Sequence, residues 1–267
     1  MNWGIAAIGV GGAAVIAMVA WFGAMSIGTE VMQAAWIIPI TAALLVFQLY
    51  ISAWAWRISL QVSIPSLSRF LRIRWIREAV NSLLPVAQLG GNLVGIRLLT
   101  HRRVRGVLAA AGTVLDLTIE ALTQFLFTLA GFVVLAAIDA DRSWAPWVGG
   151  VLLSGALGVG GFILAQRIGL MRLVEVLADK LAGMFPAFAF GGATGLHDEL
   201  LRLQRNPRAL MQASSLHLLA WALGTIEVWL ALTAMGQQPG IGEAFVIESL
   251  GMAGLFNADQ ISLYARM

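Results

Sequence analysis

The run Arg74-Trp75-Ile76-Arg77-Glu78-Ala79-Val80-Asn81-Ser82-Leu83-Leu84-Pro85-Val86-Ala87-Gln88-Leu89-Gly90-Gly91 joins a basic start to an apolar segment broken by a proline and paired glycines. It is flanked by two arginine-rich runs: Arg57, Arg69, Arg72, Arg74 and Arg77 on one side, Arg97, Arg102, Arg103 and Arg105 on the other. Residues 79–96 would just cross a hydrocarbon core of ~30 Å as one helix rising ~1.5 Å per residue. Pro85 and Gly90-Gly91 interrupt such a helix, and Asn81, Gln88 and Asn92 make it polar. Both basic flanks belong on the cytoplasmic side by the positive-inside rule. A re-entrant helical hairpin over 78–97 is therefore expected, since irregular backbone survives at membrane depth only where protein or a watery cavity satisfies it. An amphipathic pair lying on the membrane surface is the rival reading.

The rest of the chain reads as hydrocarbon-spanning helix. Of its 267 residues 59% are hydrophobic and 12% charged, and the mean hydropathy is +0.83, far from the balance of a soluble domain. The expected fold is all-α, a polytopic membrane bundle of five to six spans plus the hairpin, in one transmembrane domain. The spans fall at about 3–25, 36–56, 107–138, 147–165 and 209–235, with a partial one at 243–256. A cleaved signal peptide competes for the first, against the absence of a basic start and the length of the apolar run. The 107–138 run exceeds what a bilayer needs, so tilt or protrusion is expected. Ser154 and Gly158 offer a small-residue face for helix packing. Residues 166–208 form a cytoplasmic loop in which Leu170, Leu173, Val174, Leu177 and Leu181 recur at helical spacing, as in an interfacial helix. Nine basic residues fall between Arg57 and Arg105 and six between Arg167 and Arg208, against Arg142 in a predicted outer turn. That asymmetry sets the N-terminus in the cytoplasm.

Asp116 and Glu120, four residues apart on one helical face, form a polar stripe with Thr113, Thr123, Gln124 and Thr128. Ionisable groups in hydrocarbon are costly unless paired or hydrated, which makes them functional candidates by default. The structural alternative is an ion pair with an arginine such as Arg77 or Arg97, or carboxylic acids held neutral by desolvation. Ser214, His217, Trp221, Gly224 and Glu227 share a broad face of a later span, with His217 read as a hydrogen-bonded core residue. Cysteine is absent. No metal-ligand spacing, phosphate-cradling loop or nucleophile elbow is present, so neither metal nor cofactor is expected. Nucleic acid is a poor match to the charge distribution.

The run 74–91 resembles the lysylphosphatidylglycerol synthase transmembrane-region family, also described as flippase-like membrane proteins, and within it the hopanoid-biosynthesis-associated branch. Leu115-Asp116-Leu117-Thr118-Ile119-Glu120-Ala121-Leu122-Thr123-Gln124 supports the match. Asn92 and Gly95 stand where the family commonly has an acidic residue and an arginine, and the chain is expected to be C-terminally truncated relative to the family. The resemblance implies a bacterial inner-membrane protein that binds or moves a lipid.

In this reading Glu78, Asp116 and Glu120 attract a cationic or hydroxylated headgroup, and Asn81, Gln88 and Gln124 hydrogen-bond it. Arg77 and Arg97 hold phosphate or balance the carboxylates, while Pro85, Gly90 and Gly91 supply non-helical backbone. The lipid is a hopanoid derivative or an aminoacylated phospholipid, and the partners are further copies of the chain or lipid-synthesis enzymes. Neutralising Asp116 and Glu120 together is expected to abolish translocation without unfolding. The rivals are the membrane component of an aminoacyl or glycosyl transferase, with Glu78 or Asp116 as general base, and a scaffold for a lipid-synthesis complex.

Overall fold

Apolar runs and chain breaks locate the helices. A computed structural model of the protein describes residues 35–63, 65–83, 89–138, 145–169, 172, 175–176 and 195–251. Helix α1 (Ile38–Leu60) follows one 3-10 turn, with Pro39 in its first turn, where a missing N–H costs nothing. It stops at Gln61, whose left-handed backbone (φ 54°) turns its N–H onto Ile58 O at 2.9 Å. Helices α2 (Leu67–Leu83) and α3 (Leu89–Thr100) come next. Then follow α4 (Gly106–Ile138), α5 (Ala145–Arg167), the short α6 (Leu196–Gln204), α7 (Pro207–Ala234) and α8 (Ile241–Gly251). Asn206 caps α7 by accepting the Ala209 N–H at 3.2 Å, with Pro207 opening the helix.

The described residues contain no strand. Four stretches are long and apolar enough to cross a bilayer: Ala35–Leu60, Gly106–Ile138, Val148–Arg167 and Pro207–Ala234. On α5 the large side chains Leu153, Leu157 and Leu164 point outward at 62%, 67% and 57% exposure, which water would penalise and lipid tails accept. The chain is an all-α polytopic membrane bundle. Three apolar clusters hold it together. Trp56, Leu60, Phe70, Ile73, Leu99 and Ala109 join α1 to the α2–α3 pair and the start of α4. Ala55, Leu115, Ile119 and Ala213 meet Leu196, Leu200 and Leu203 of α6. Phe132 and Leu135 of α4 meet Val246 and Leu250 of α8.

Two expectations change. Gly90 and Gly91, assigned to non-helical backbone, lie in the first turns of α3. The small-residue face at Gly158 meets no neighbour among the described residues, whereas Gly155 sits close to the Phe125 ring. Helix α6 went unread because its apolar positions, Leu196, Leu200 and Leu203, stand in a charged sequence. The expected first span, the turn carrying Arg142 and the interfacial helix around Leu170–Leu181 lie largely or wholly outside the described residues, as do Pro85, Gln88 and the chain beyond Gly251.

On α6, Glu199 receives Arg202 at 3.0 Å and Arg105 at 3.2 Å. The hydrogen bond from Arg202 holds its carboxyl below the usual glutamate range. A lowered folded-state pKa contributes stability above the unfolded value and loses it as pH falls. Glu199→Gln is therefore expected to cost about 0.2–1 kcal/mol near neutrality, as for other solvent-screened pairs. In thermal melts the difference from the parent should start to shrink as pH falls through the unfolded glutamate range of about 4 and vanish only once pH is below the lowered folded-state value.

Candidate functional site

Helices α2 and α3 pack antiparallel as a hairpin. Asn81 Oδ1 accepts the Gly91 N–H at 2.9 Å, and Gly95 lies over Trp56 and the Arg77 stem. Ile73 and Ile76 face Leu98 further along. Position 91 needs glycine because a Cβ there would overlap the Arg77 carbonyl oxygen and the Asn81 carboxamide. Asn81, expected to hydrogen-bond a headgroup, thus spends its oxygen tying the start of α3 to α2.

The hairpin presents Arg74 and Arg77, three residues apart on α2, to Asp116 and Glu120 on α4. Arg74 reaches Asp116 Oδ2 at 3.1 Å, Glu120 Oε1 at 2.9 Å and, through Nε, Glu78 Oε1 at 2.8 Å. Arg77 reaches the same Asp116 oxygen at 3.1 Å and Glu120 Oε2 at 3.5 Å. Both guanidiniums and Asp116 are buried, while Glu120 and Glu78 are the more exposed acids at 22% and 36%. The other Asp116 oxygen lies 3.1 Å from His217 Nε2 of α7. An ionised carboxylate only accepts, so Nε2 is the donor. The Trp56 ring stacks under Arg77, its centroid 5.1 Å from the guanidinium carbon. Trp56 in turn donates to Thr113 at 3.3 Å and meets Phe70 edge-on.

Each polar group of the α4 stripe resolved in contact thus joins α4 to another helix. Trp221 of α7 donates to Thr123 at 3.3 Å, and Thr128 donates to the Ser249 carbonyl of α8 at 3.1 Å. Such interhelical hydrogen bonds act as glue where apolar packing gains little. Gln124 is half-buried one turn beyond Glu120.

Of the predicted site residues, Arg77, Glu78, Asp116 and Glu120 come together. Arg97 does not join them: it is exposed on α3, and Arg74 takes the place expected for it. The spacing of Arg74 and Arg77 could have revealed the pair, since three residues apart they share a helical face. His217 was seen in sequence only as a core histidine, and nothing local in the chain pointed to Asp116 as its partner.

The depth of the cluster can be read from α5. Gln166, at the end of the apolar run of α5, donates to Thr118 Oγ1 at 2.7 Å. From Thr118 to Ile138 α4 rises ~30 Å, one hydrocarbon thickness. Asp116 therefore lies level with one edge of the apolar layer, and the first turns of α4 project beyond it. Glu227, ten residues past His217 on α7, lies ~15 Å deeper and receives Gln48 Nε2 at 3.5 Å.

An apolar helical bundle with a multiply paired charge cluster buried between its helices is the architecture of a polytopic membrane protein. The chain belongs to the family described as the lysylphosphatidylglycerol synthase TM region, whose model matches residues 4–256. No curated protein and no solved structure matches it. Family membership makes it a membrane protein of lipid metabolism or transport.

Proposed function

We propose that the chain binds a polar-headed membrane lipid at the α2–α4 charge cluster and moves it between leaflets. The observation that carries this reading is the charge count at the apolar edge. Two guanidiniums face three carboxylates, so the acids outnumber the arginines by one. The excess sits on the exposed side, at Glu78 and Glu120. A headgroup amine, such as the lysyl group in the family's name, is the complement of that charge. A hydroxylated headgroup, including that of a hopanoid derivative, would hydrogen-bond the same acids, and the hopanoid link rests on the resemblance of residues 74–91.

With the basic ends of α2 and α3 in the cytoplasm, the α2–α3 pair is read as a re-entrant element. The N-terminus then lies in the cytoplasm and the chain in a bacterial inner membrane. The arginines are already engaged by protein carboxylates, so lipid phosphate would reach them only by displacing Asp116 or Glu120.

The test is Glu78→Gln with Glu120→Gln, which keeps Asp116 between the arginines and turns the net charge of the cluster from negative to positive. In reconstituted vesicles, translocation of fluorescent lysylphosphatidylglycerol should fall about tenfold or more, equivalent to ~1.4 kcal/mol of lost charge interaction. Unchanged translocation by a monodisperse double variant would reject the headgroup site. Loss of a modified lipid from the extract of a deletion strain, with leaflet distribution unaltered, would favour the transferase reading.

A further inference from the structure

Helix α2 has two cationic faces, and the charge cluster uses one of them. At ~100° per residue, Arg74, Arg77, Glu78 and Asn81 lie on the side turned to α4 and the start of α3. Arg69, Arg72, Ile73 and Ile76 lie on a second side, roughly 130° around the helix. There, with Leu98 of α3 and Arg102 just beyond its end, they line a cavity of about 330 Å³. That volume is within the ~300–1,000 Å³ of small-ligand sites.

The hairpin end that shapes this cavity is well determined by local geometry. Arg103 adopts a left-handed backbone (φ 71°), so that its N–H reaches Thr100 O at 3.0 Å and the Val104 N–H reaches Leu99 O at 3.2 Å. This is the double hydrogen bond of a Schellman closure, and it fixes Arg102 at the cavity wall. Arg69, Arg72 and Arg102 are all exposed. No carboxylate lies within ion-pair distance of any of them among the described residues. This contrasts with Arg74 and Arg77, a turn away on the same helix. Three uncompensated guanidiniums beside three apolar side chains suit a ligand that is anionic at one end and hydrocarbon at the other.

We propose that this cavity binds the phosphate of an anionic phospholipid, with the acyl chains running over Ile73, Ile76 and Leu98. The cavity sits outside the cluster's depth: Phe70 and Leu99 pack beside Ala109 in one apolar cluster, two turns before Asp116 and beyond the edge marked by Gln166. That is the layer where a phosphate resides. The site is distinct from the carboxylate-rich cluster in charge and in the face of α2 that it uses, and it stands whether or not that cluster moves lipid. Its occupant would hold the hairpin base against the membrane surface.

Native mass spectrometry of the full chain in detergent, titrated with phosphatidylglycerol and separately with phosphatidylcholine, tests this. Phosphatidylglycerol should bind at least tenfold more tightly than phosphatidylcholine. Arg69→Gln with Arg72→Gln and Arg102→Gln should remove that preference, each basic group near a membrane surface contributing about fivefold. Arg167→Gln with Arg208→Gln, which neutralises two exposed arginines elsewhere, should preserve it. Ile76→Gln with Leu98→Gln should weaken phosphatidylglycerol binding as well. Equal binding of the two lipids, or a triple variant that keeps the preference, would overturn the proposal. Displacement of the lipid by millimolar inorganic phosphate would overturn it too, by identifying a site for the free anion.

Discussion

Replacing Asp116 with alanine is expected to destabilise the protein by about 3–5 kcal/mol, the cost of taking one partner out of a buried ionic network. Asp116 is the one acid in contact with Arg74, Arg77 and His217 together, and it is fully buried. Its removal takes from two buried guanidiniums the fully buried acid they share, leaving Glu120 and Glu78 as their remaining partners. A shift on the order of 10 °C in a detergent melting curve is the expected reading, and a shift under about 2 °C would show that Glu78 and Glu120 suffice for the two arginines. Glu120→Ala should cost less, because that side chain is 22% exposed and water can replace part of what it gives.

The order Asp116 above Glu120 separates this account from one in which the two acids are equivalent members of a stripe. Removing both acids should cost more stability than removing either alone, because both contact the same two arginines. Conversely, an apolar replacement of Arg74, Arg77, Asp116 and Glu120 together should preserve much of the stability, because a buried ionic network is weak evidence of net stabilisation. It should abolish headgroup binding. That pairing of outcomes would assign the network to function.

The second large effect is expected at Gly91. A methyl group there overlaps the Arg77 carbonyl oxygen and the Asn81 carboxamide. The carbonyl is backbone, so relief requires α3 to move away from α2. Gly91→Ala should cost about 1–3 kcal/mol, as overpacking does, despite the roughly 1 kcal/mol that alanine gains over glycine in a helix interior. Because the obstructed carbonyl belongs to Arg77, the displacement reaches the charge cluster, and the proposed lipid translocation should fall with stability.

Gly158→Ala supplies the control. It is also a helical glycine, with nothing near its absent Cβ, and should be neutral or stabilising by the helix-propensity term alone. The melting temperature should therefore fall for Gly91→Ala and hold or rise for Gly158→Ala. A stable Gly91→Ala variant would mean that the hairpin is looser than its geometry implies.

Much of this architecture is legible from composition and chain breaks. Apolar runs of membrane length are unambiguous because nothing but helix satisfies the backbone in lipid, so the described spans fall close to their expected bounds. Asp116 and Glu120 stood out for the same reason, as charges where charges are expensive. Helix α6 was illegible because its three buried leucines are few and its surroundings polar. Gly91 was misread because a glycine that breaks a helix and one that lets another helix approach look alike in sequence.

What the sequence by itself determined, then, is the class of protein, the position of its apolar helices and the two acids that need an explanation, all consequences of local composition acting against a hydrocarbon solvent. Only the tertiary structure decided which arginines answer those acids. Arg74, Arg77 and Arg97 carry the same charge, and the choice among them depends on which face of α2 the packing of Gly91 and Gly95 turns toward α4. The same rotation leaves Arg69, Arg72 and Arg102 without carboxylates among the described residues, around a cavity of their own. Charge is a property of residues, but pairing is a property of distance, and distance between segments forty residues apart is set by how the helices pack.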